Sequence, residues 1–157
     1  MSLPQHFSQV SPTVWRSAQP LPANWLGLYN LGIRQWVKLD TEGEGTSDGA
    51  AQAGVTVIAC PIEPIDDGSV VQKLEAIFMR PSEAVIDRAL AAMASGTPTL
   101  VSCLHGNDRT GLLVGFYRVL VLGWSKAKAW DEMILQGYHP ELMGLDEEWW
   151  FGNPKLT

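Results

Sequence analysis

Two hydrophobic rhythms alternate along the chain. Short runs of β-branched and aromatic residues at 14–17, 35–39, 55–60 and 99–102 have strand character, the last led in by the apolar β-branched run 97–101. Between them lie stretches of helical period. Residues 23–31 follow a turn at 20–22 and stop at Gly32. Ser82 can cap a helix that runs to Ala94, with Val85, Ile86, Ala89, Leu90 and Met93 as its apolar face and Gly96 beyond its end. After Gly111, the spacing of Leu112, Leu113, Phe116, Val119 and Leu120 predicts a long buried helix. A break at Gly123-Trp124-Ser125 opens another helix over 126–135, closed by Gly137, and 141–151 reads as a helical or irregular aromatic tail. Residues 41–49 (T-E-G-E-G-T-S-D-G) carry neither period and read as a polar loop of solvated acids, with a helical turn near 50–53. Residues 60–68 form a stiff loop with two prolines, before a helix over 70–79 that Pro81 interrupts.

Strands separated by helices imply an α/β fold: a mostly parallel central sheet in three layers, helices on both faces, ligands at the carboxyl ends of the strands. At 157 residues and 46% apolar content, with no linker, repeat or low-complexity run, the whole chain 1–157 is expected to be one domain with one core.

A net charge of −6 and a pI near 4.9 argue against a general grip on nucleic acid or anionic membrane. The start has neither a basic nor an apolar leader-like region, and the longest apolar stretch, 111–124, is broken by Arg118, so the expectation is a soluble cytoplasmic protein; the oligomeric state is open, with a monomer as the default. Two cysteines fit a reducing compartment better than a disulfide framework.

Residues 101–111 read V-S-C-L-H-G-N-D-R-T-G: strand, tight loop, helix. Such a loop turns successive N–H groups inward, with the positive end of a helix dipole behind it. Leu104, His105, Gly106, Asn107, Asp108 and Arg109 would line an anion cradle, and the Arg109 fork can hold two phosphate oxygens. Cys103 would lie at its floor, where the positive surroundings favour a thiolate. A lone Cys after a buried strand is ordinarily a small core residue; Gly106, Arg109, Thr110 and Gly111 at fixed offsets set this one apart.

The C-x5-R-T-G pattern of Cys103 to Gly111 resembles the signature loop of the cysteine-dependent protein tyrosine and dual-specificity phosphatases. Trp15-Arg16-Ser17-Ala18-Gln19-Pro20 is similar to a segment near the start of their small atypical bacterial branch, and Gly32-Ile33-Arg34 agrees. The resemblance covers about residues 14–140. It implies a tyrosine-phosphatase-like fold and hydrolysis of phosphomonoesters through a phosphocysteine, with Cys103 as nucleophile, Arg109 as phosphate clamp and the Thr110 hydroxyl on the departing thiolate. It implies no metal and no cofactor, and the three histidines are too scattered for a metal cluster. The implied partners are a phosphorylated protein or a small phosphomonoester: phosphotyrosine or phosphoserine/threonine proteins, or aryl phosphates.

The leaving oxygen needs a proton. The matching loop in the family supplies an Asp, which makes Asp66 the first candidate and Asp67 the second; either can instead cap the helix that follows. Asp108 is the rival, an acid immediately before the Arg as in some lipid-active relatives, or else a structural hydrogen-bond partner of the loop. Ser102 stands where the family usually has His. Relatives acting on inositol lipids tend to have lysine in the loop, where this chain has Leu104, His105 and Asn107, so an inositol phosphate or phosphoinositide phosphatase is an alternative. A rhodanese-type sulfurtransferase and a phosphate-binding pseudophosphatase are the others. Cys60 is either a packed residue or a regulatory disulfide partner of Cys103, and His6 and His139 read as ordinary surface or core histidines, with reach into the site as the alternative.

Overall fold

The computed structural model describes residues 2–41, 44–62 and 77–156. Five strands form one sheet: β1 (Ser8–Ser11), β2 (Val14–Ala18), β3 (Gln35–Lys38), β4 (Thr56–Ala59) and β5 (Thr99–Cys103). Their order is β1-β2-β5-β3-β4; β1 runs antiparallel at one edge and the rest are parallel. β5 is therefore central and buried on both faces, as a parallel strand between two others must be. The short edge strand β1 lies in a polar stretch without alternation, and the sequence pattern did not indicate it.

The sheet's two faces carry different helices. Trp25, Leu28, Ile33 and Trp36 build one core with Leu100, under α1 (Trp25–Asn30) and α2 (Glu44–Ala53). The other face holds Val37, Leu39, Val101 and Cys103 against α3 (Glu83–Met93), α4 (Arg109–Leu120), α5 (Lys126–Leu135) and α6 (Met143–Phe151). This is the expected three-layer α/β arrangement. α3 buries Ile86, Ala89, Leu90 and Met93 as its periodicity requires, and Ser125 caps α5 by accepting from Lys128 N (3.1 Å).

Residues 44–49 depart from expectation. Polar, glycine-rich and without either period, they have the composition of a loop. From Glu44 onward they are helical, because tertiary packing overrides propensity: Thr46 Oγ1 accepts from Trp25 Nε1 (2.8 Å) and donates to Pro20 O (2.6 Å), while Ala50 is fully buried. A Cβ on Gly49 would sit 3.1 Å from Trp25 Cδ1 and 3.3 Å from Pro22 Cα, so the missing side chain serves close approach and not a break. One smaller difference is Leu120, which is 40% exposed and does not anchor α4. In the aromatic tail Trp149 is buried with its ring centroid 5.1 Å from that of Phe116, while Trp150 and Phe151 are exposed. Asp66, Asp67 and most of the helix expected over 70–79 lie outside the described residues.

Candidate active site

Cys103 is the last residue of β5 and is 2% exposed. Side chains alternate across a strand, so Cys103 and Ser102 face opposite layers. Cys103 sits in the α3–α6 core, while Ser102 Oγ accepts from Trp36 Nε1 (2.8 Å) on the other side. The Ser102 hydroxyl is thus a neutral partner of a buried indole. Beyond Cys103 the chain turns through residues 104–108 and enters α4 at Arg109, which is half-buried.

The loop is held from outside by its carbonyls. Leu104 O accepts from Gln19 N (3.3 Å), His105 O from His6 Nδ1 (2.8 Å), and Gly106 O from Arg16 Nη2 (2.8 Å). In a trans peptide the N–H lies opposite the preceding C=O. Three carbonyls fixed outward therefore turn the N–H groups of His105, Gly106 and Asn107 the other way, into the concave side of the loop. Among the described residues, the N–H groups of residues 105–108 donate to no backbone carbonyl. Consecutive inward N–H groups at a helix N-terminus form an anion nest.

Gly106 makes the turn possible. Its φ is +81°, and a Cβ there would lie 2.6 Å from Ala18 N and 2.7 Å from Ser17 C and O. The loop is pressed onto the end of β2, where Ala18 pairs with Cys103. The Arg16-Ser17-Ala18-Gln19 segment is thus the wall behind the loop. His6 reaches His105 from a left-handed backbone (φ 54°), an unusual conformation for a residue with a Cβ. Neither Arg16 nor His6 stands out in sequence as a support of the loop, since contacts spanning 90 and 99 residues leave no local signal.

Asp108 occupies the N-cap of α4, yet its carboxylate does not cap that helix. Instead Oδ1 accepts from His139 N (2.7 Å) and His139 Nδ1 (2.9 Å), and Oδ2 lies 3.1 Å from the same ring nitrogen. The hydrogen bond and the charge of Asp108 raise the His139 pKa above its ordinary value. This contact ties the loop to the α5–α6 turn. Thr110 is fully buried in the first turn of α4, and its Oγ1 has no hydrogen-bond partner among the described residues.

Lys38 and Asp40 are buried at the end of β3, beside Ser102 in the register. Lys38 Nζ donates to Asp40 O (2.8 Å) and lies 3.7 Å from Oδ1, a charged pair that the sequence pattern did not single out. Cys60 is fully buried and its sulfur accepts from Arg88 Nε (3.5 Å); both cysteines are free thiols. β3 lies between β4 and β5, which separates Cys60 from Cys103 by two interstrand steps, roughly 10 Å between Cα atoms. That exceeds the ~7 Å over which a disulfide can form without backbone movement.

Among the described residues, no three His, Cys, Asp or Glu side chains gather as a metal site, and no helix is long and apolar enough to cross a membrane.

Residues 2–142 match the tyrosine phosphatase family, and the chain belongs to it. Within it, the likeness is to the small atypical dual-specificity-like bacterial branch. The dual specificity protein phosphatase TpbA of Pseudomonas aeruginosa strain UCBPP-PA14 is 31% identical over 133 residues, which cover 85% of this chain and 55% of that protein. The chain thus spans about half the length of the curated relatives it matches. The crystal structure of P. aeruginosa TpbA superposes with a TM-score of 0.72 at 26% identity, covering 94% of this chain and 84% of that one. A cysteine-to-serine variant of TpbA in complex with phosphotyrosine gives 0.64 at 27% identity, over 90% of this chain and 76% of that one. The catalytic core of the PP-IP phosphatase SIW14 from S. cerevisiae shares the fold, with a TM-score of 0.74 at 19% identity over 97% of this chain and 88% of that one.

Proposed function

We propose that this chain hydrolyses phosphomonoesters by a two-step transfer through Cys103. The observation that carries the reading is a buried thiol at the end of the central strand, beneath a loop whose carbonyls at 104, 105 and 106 are all anchored outward. In the first step Cys103 Sγ attacks phosphorus, an S–P bond forms, the ester P–O bond breaks and a carboxylic acid protonates the leaving oxygen. The amides of residues 104–109 and the Arg109 fork hold the three equatorial oxygens. Water then attacks phosphorus, giving its proton to the same carboxylate; the S–P bond breaks and orthophosphate leaves. The buried Thr110 hydroxyl, which has no hydrogen-bond partner among the described residues, is suited to donate to the departing thiolate.

Asp66 is our choice for the acid. The Asp108 carboxylate is already engaged by His139, accepting from its backbone N–H and lying 2.9 Å from its Nδ1, which directs it to the α5–α6 turn. Replacing each by Asn separates the two: loss of the acid impairs phenyl esters with poor leaving groups far more than activated ones. Equal losses on both ester types in both variants would defeat the assignment.

The substrates fitting this site are phosphotyrosine or phosphoserine/threonine proteins, or aryl phosphates. TpbA, itself described as a dual specificity phosphatase, has been crystallised with phosphotyrosine. The loop residues Leu104, His105 and Asn107 include no lysine to meet a polyphosphorylated ring. We place residues 1–157 in one phosphatase unit acting as a soluble cytoplasmic monomer. The deciding experiment is metal-free hydrolysis of a chromogenic aryl phosphate, inhibited by vanadate and abolished in Cys103→Ser, with phosphorus trapped on Cys103 by rapid quenching. Turnover that survives Cys103→Ser, or thiocyanate formation from thiosulfate in its place, would overturn the reading.

A further inference from the structure

Arg16 is a charge where the pattern calls for a hydrophobe. β2 and β5 are parallel and in register, Arg16 opposite Val101 and Ala18 opposite Cys103, so Arg16 projects to the same face as the proposed nucleophile. It is 4% exposed there. Burial lowers its pKa, and the charges of Glu132 and Cys103 offset part of that effect; a guanidinium stays charged throughout. Glu132 is not its hydrogen-bond partner. Both carboxylate oxygens of Glu132 are taken by Arg118, at 3.1 Å each. What Arg16 binds is the Gly106 carbonyl, through Nη2 at 2.8 Å. The first turn of α4 lies beside it: a Cβ on Gly111 would stand 3.9 Å from that same nitrogen, an ordinary van der Waals contact.

A buried cation bound to one neutral carbonyl is a costly way to stabilise a fold. It is a direct way to orient a peptide. The unit joining Gly106 to Asn107 can present either its N–H or its C=O to the inside of the loop. Gly106 has φ +81° and no side chain to bias the choice. The wrong choice removes a donor from the anion nest and points a negative dipole end at the phosphoryl group.

We propose that Arg16 is a positioning residue of the phosphate loop: by holding the Gly106 carbonyl outward it fixes the Asn107 N–H toward the oxygens of the phosphoryl group in transfer. The assignment rests on the phosphocysteine reading and adds a residue outside the signature. It acts most strongly when those oxygens become equatorial in the five-coordinate transition state, because a donor preset for that geometry needs no reorganisation.

The test compares Arg16→Met with Arg16→Lys, which keeps a cation and one donor. Each is assayed for kcat and KM on a chromogenic aryl phosphate and for inhibition by orthovanadate, a five-coordinate mimic, and by orthophosphate, a tetrahedral one. Arg16→Met should lose about 100-fold in kcat and in vanadate affinity, the scale of one preorganised donor. Phosphate affinity should fall less than about fivefold and Arg16→Lys should recover about tenfold of kcat, since ground-state contacts change little. Loss of fold alone would not change the ratio of vanadate to phosphate affinity among the surviving molecules. If Arg16→Met does not fold, Arg16→Gln carries the same comparison. An unmoved ratio, with Cys103→Ser inactive, overturns the role of Arg16 and leaves the chemistry standing. Turnover by Cys103→Ser removes the chemistry itself.

Discussion

Asp108 stands at the N-cap of α4 but gives its carboxylate to His139, 2.7 Å from the backbone N–H and 2.9 Å from the ring. An Asp at this position ordinarily folds back onto the first amides of its own helix. Here that would put a fixed anion where the phosphate is proposed to bind. By drawing Asp108 aside, His139 leaves the end of α4 open.

Removing the ring should therefore weaken substrate binding more than chemistry. His139→Ala is expected to raise KM for an aryl phosphate roughly 2- to 5-fold, the worth of ~0.4–1 kcal/mol of competing charge at a helix terminus. kcat should change little. Steady-state kinetics check this; a fall in kcat at constant KM would contradict it.

The same pair couples stability to pH. The folded-state pKa of His139 is raised above its unfolded value of 6.5, first by the Asp108 hydrogen bond, then by the Asp108 charge and, more weakly, by Glu141. Its contribution is complete below the unfolded pKa and disappears as pH climbs through the folded one. The ring is half-exposed, so solvent screening limits the effect to about 0.2–1 kcal/mol. Urea unfolding of wild type and His139→Gln at about pH 5.5 and about pH 8.5 should show a gap that narrows at the higher pH.

Gly106 should tolerate no side chain. In Gly106→Ala the positive φ and the 2.6 Å approach to Ala18 N act together. The expected loss exceeds about 1 kcal/mol of stability. Activity should fall further than stability accounts for, because the loop must lift away from β2. Thermal melts and kinetics on one preparation measure both.

Ser102 and Trp36 predict a non-additive cycle. Ser102→Ala leaves a buried indole N–H without its acceptor and should cost about 1–3 kcal/mol. Trp36→Phe in the same chain removes the orphaned donor, so the double variant should be more stable than the sum of the two single losses indicates. Ser102→His would have to place its ring against Trp36, on the face away from Cys103, and is expected to destabilise without aiding the thiol.

Oxidation should not join the two cysteines within a folded chain. With β3 between them, mild peroxide treatment followed by peptide mapping should yield no Cys60–Cys103 cross-link. Such a peptide from native protein would mean that β3 and β4 separate readily.

What could be read in advance was local. The strand, five-residue loop and helix around Cys103 and Arg109 carry their geometry in contiguous residues, and Gly32 and Ser125 mark helix ends by their own backbone and side-chain chemistry. The helical start of α2 was hidden because Gly49 and Thr46 gain their value only against Trp25. β1 was hidden because its partner, not its composition, makes it a strand. The supports of the loop escaped for the same reason: Arg16 appeared as a letter in a motif, His6 as an isolated ring. The choice among Asp66, Asp67 and Asp108 is open in sequence; the carboxylate of Asp108 is engaged by His139, and Asp66 and Asp67 lie outside the described residues.

The braces at His6 and Arg16 meet the loop across 99 and 90 intervening positions. Contacts of such span are the slowest to close while a polypeptide collapses. A half-organised molecule can already own Cys103 and Arg109, yet it lacks the oriented amides on which the proposed transfer depends. On that proposal, competence arrives together with the finished topology and not with the signature stretch alone.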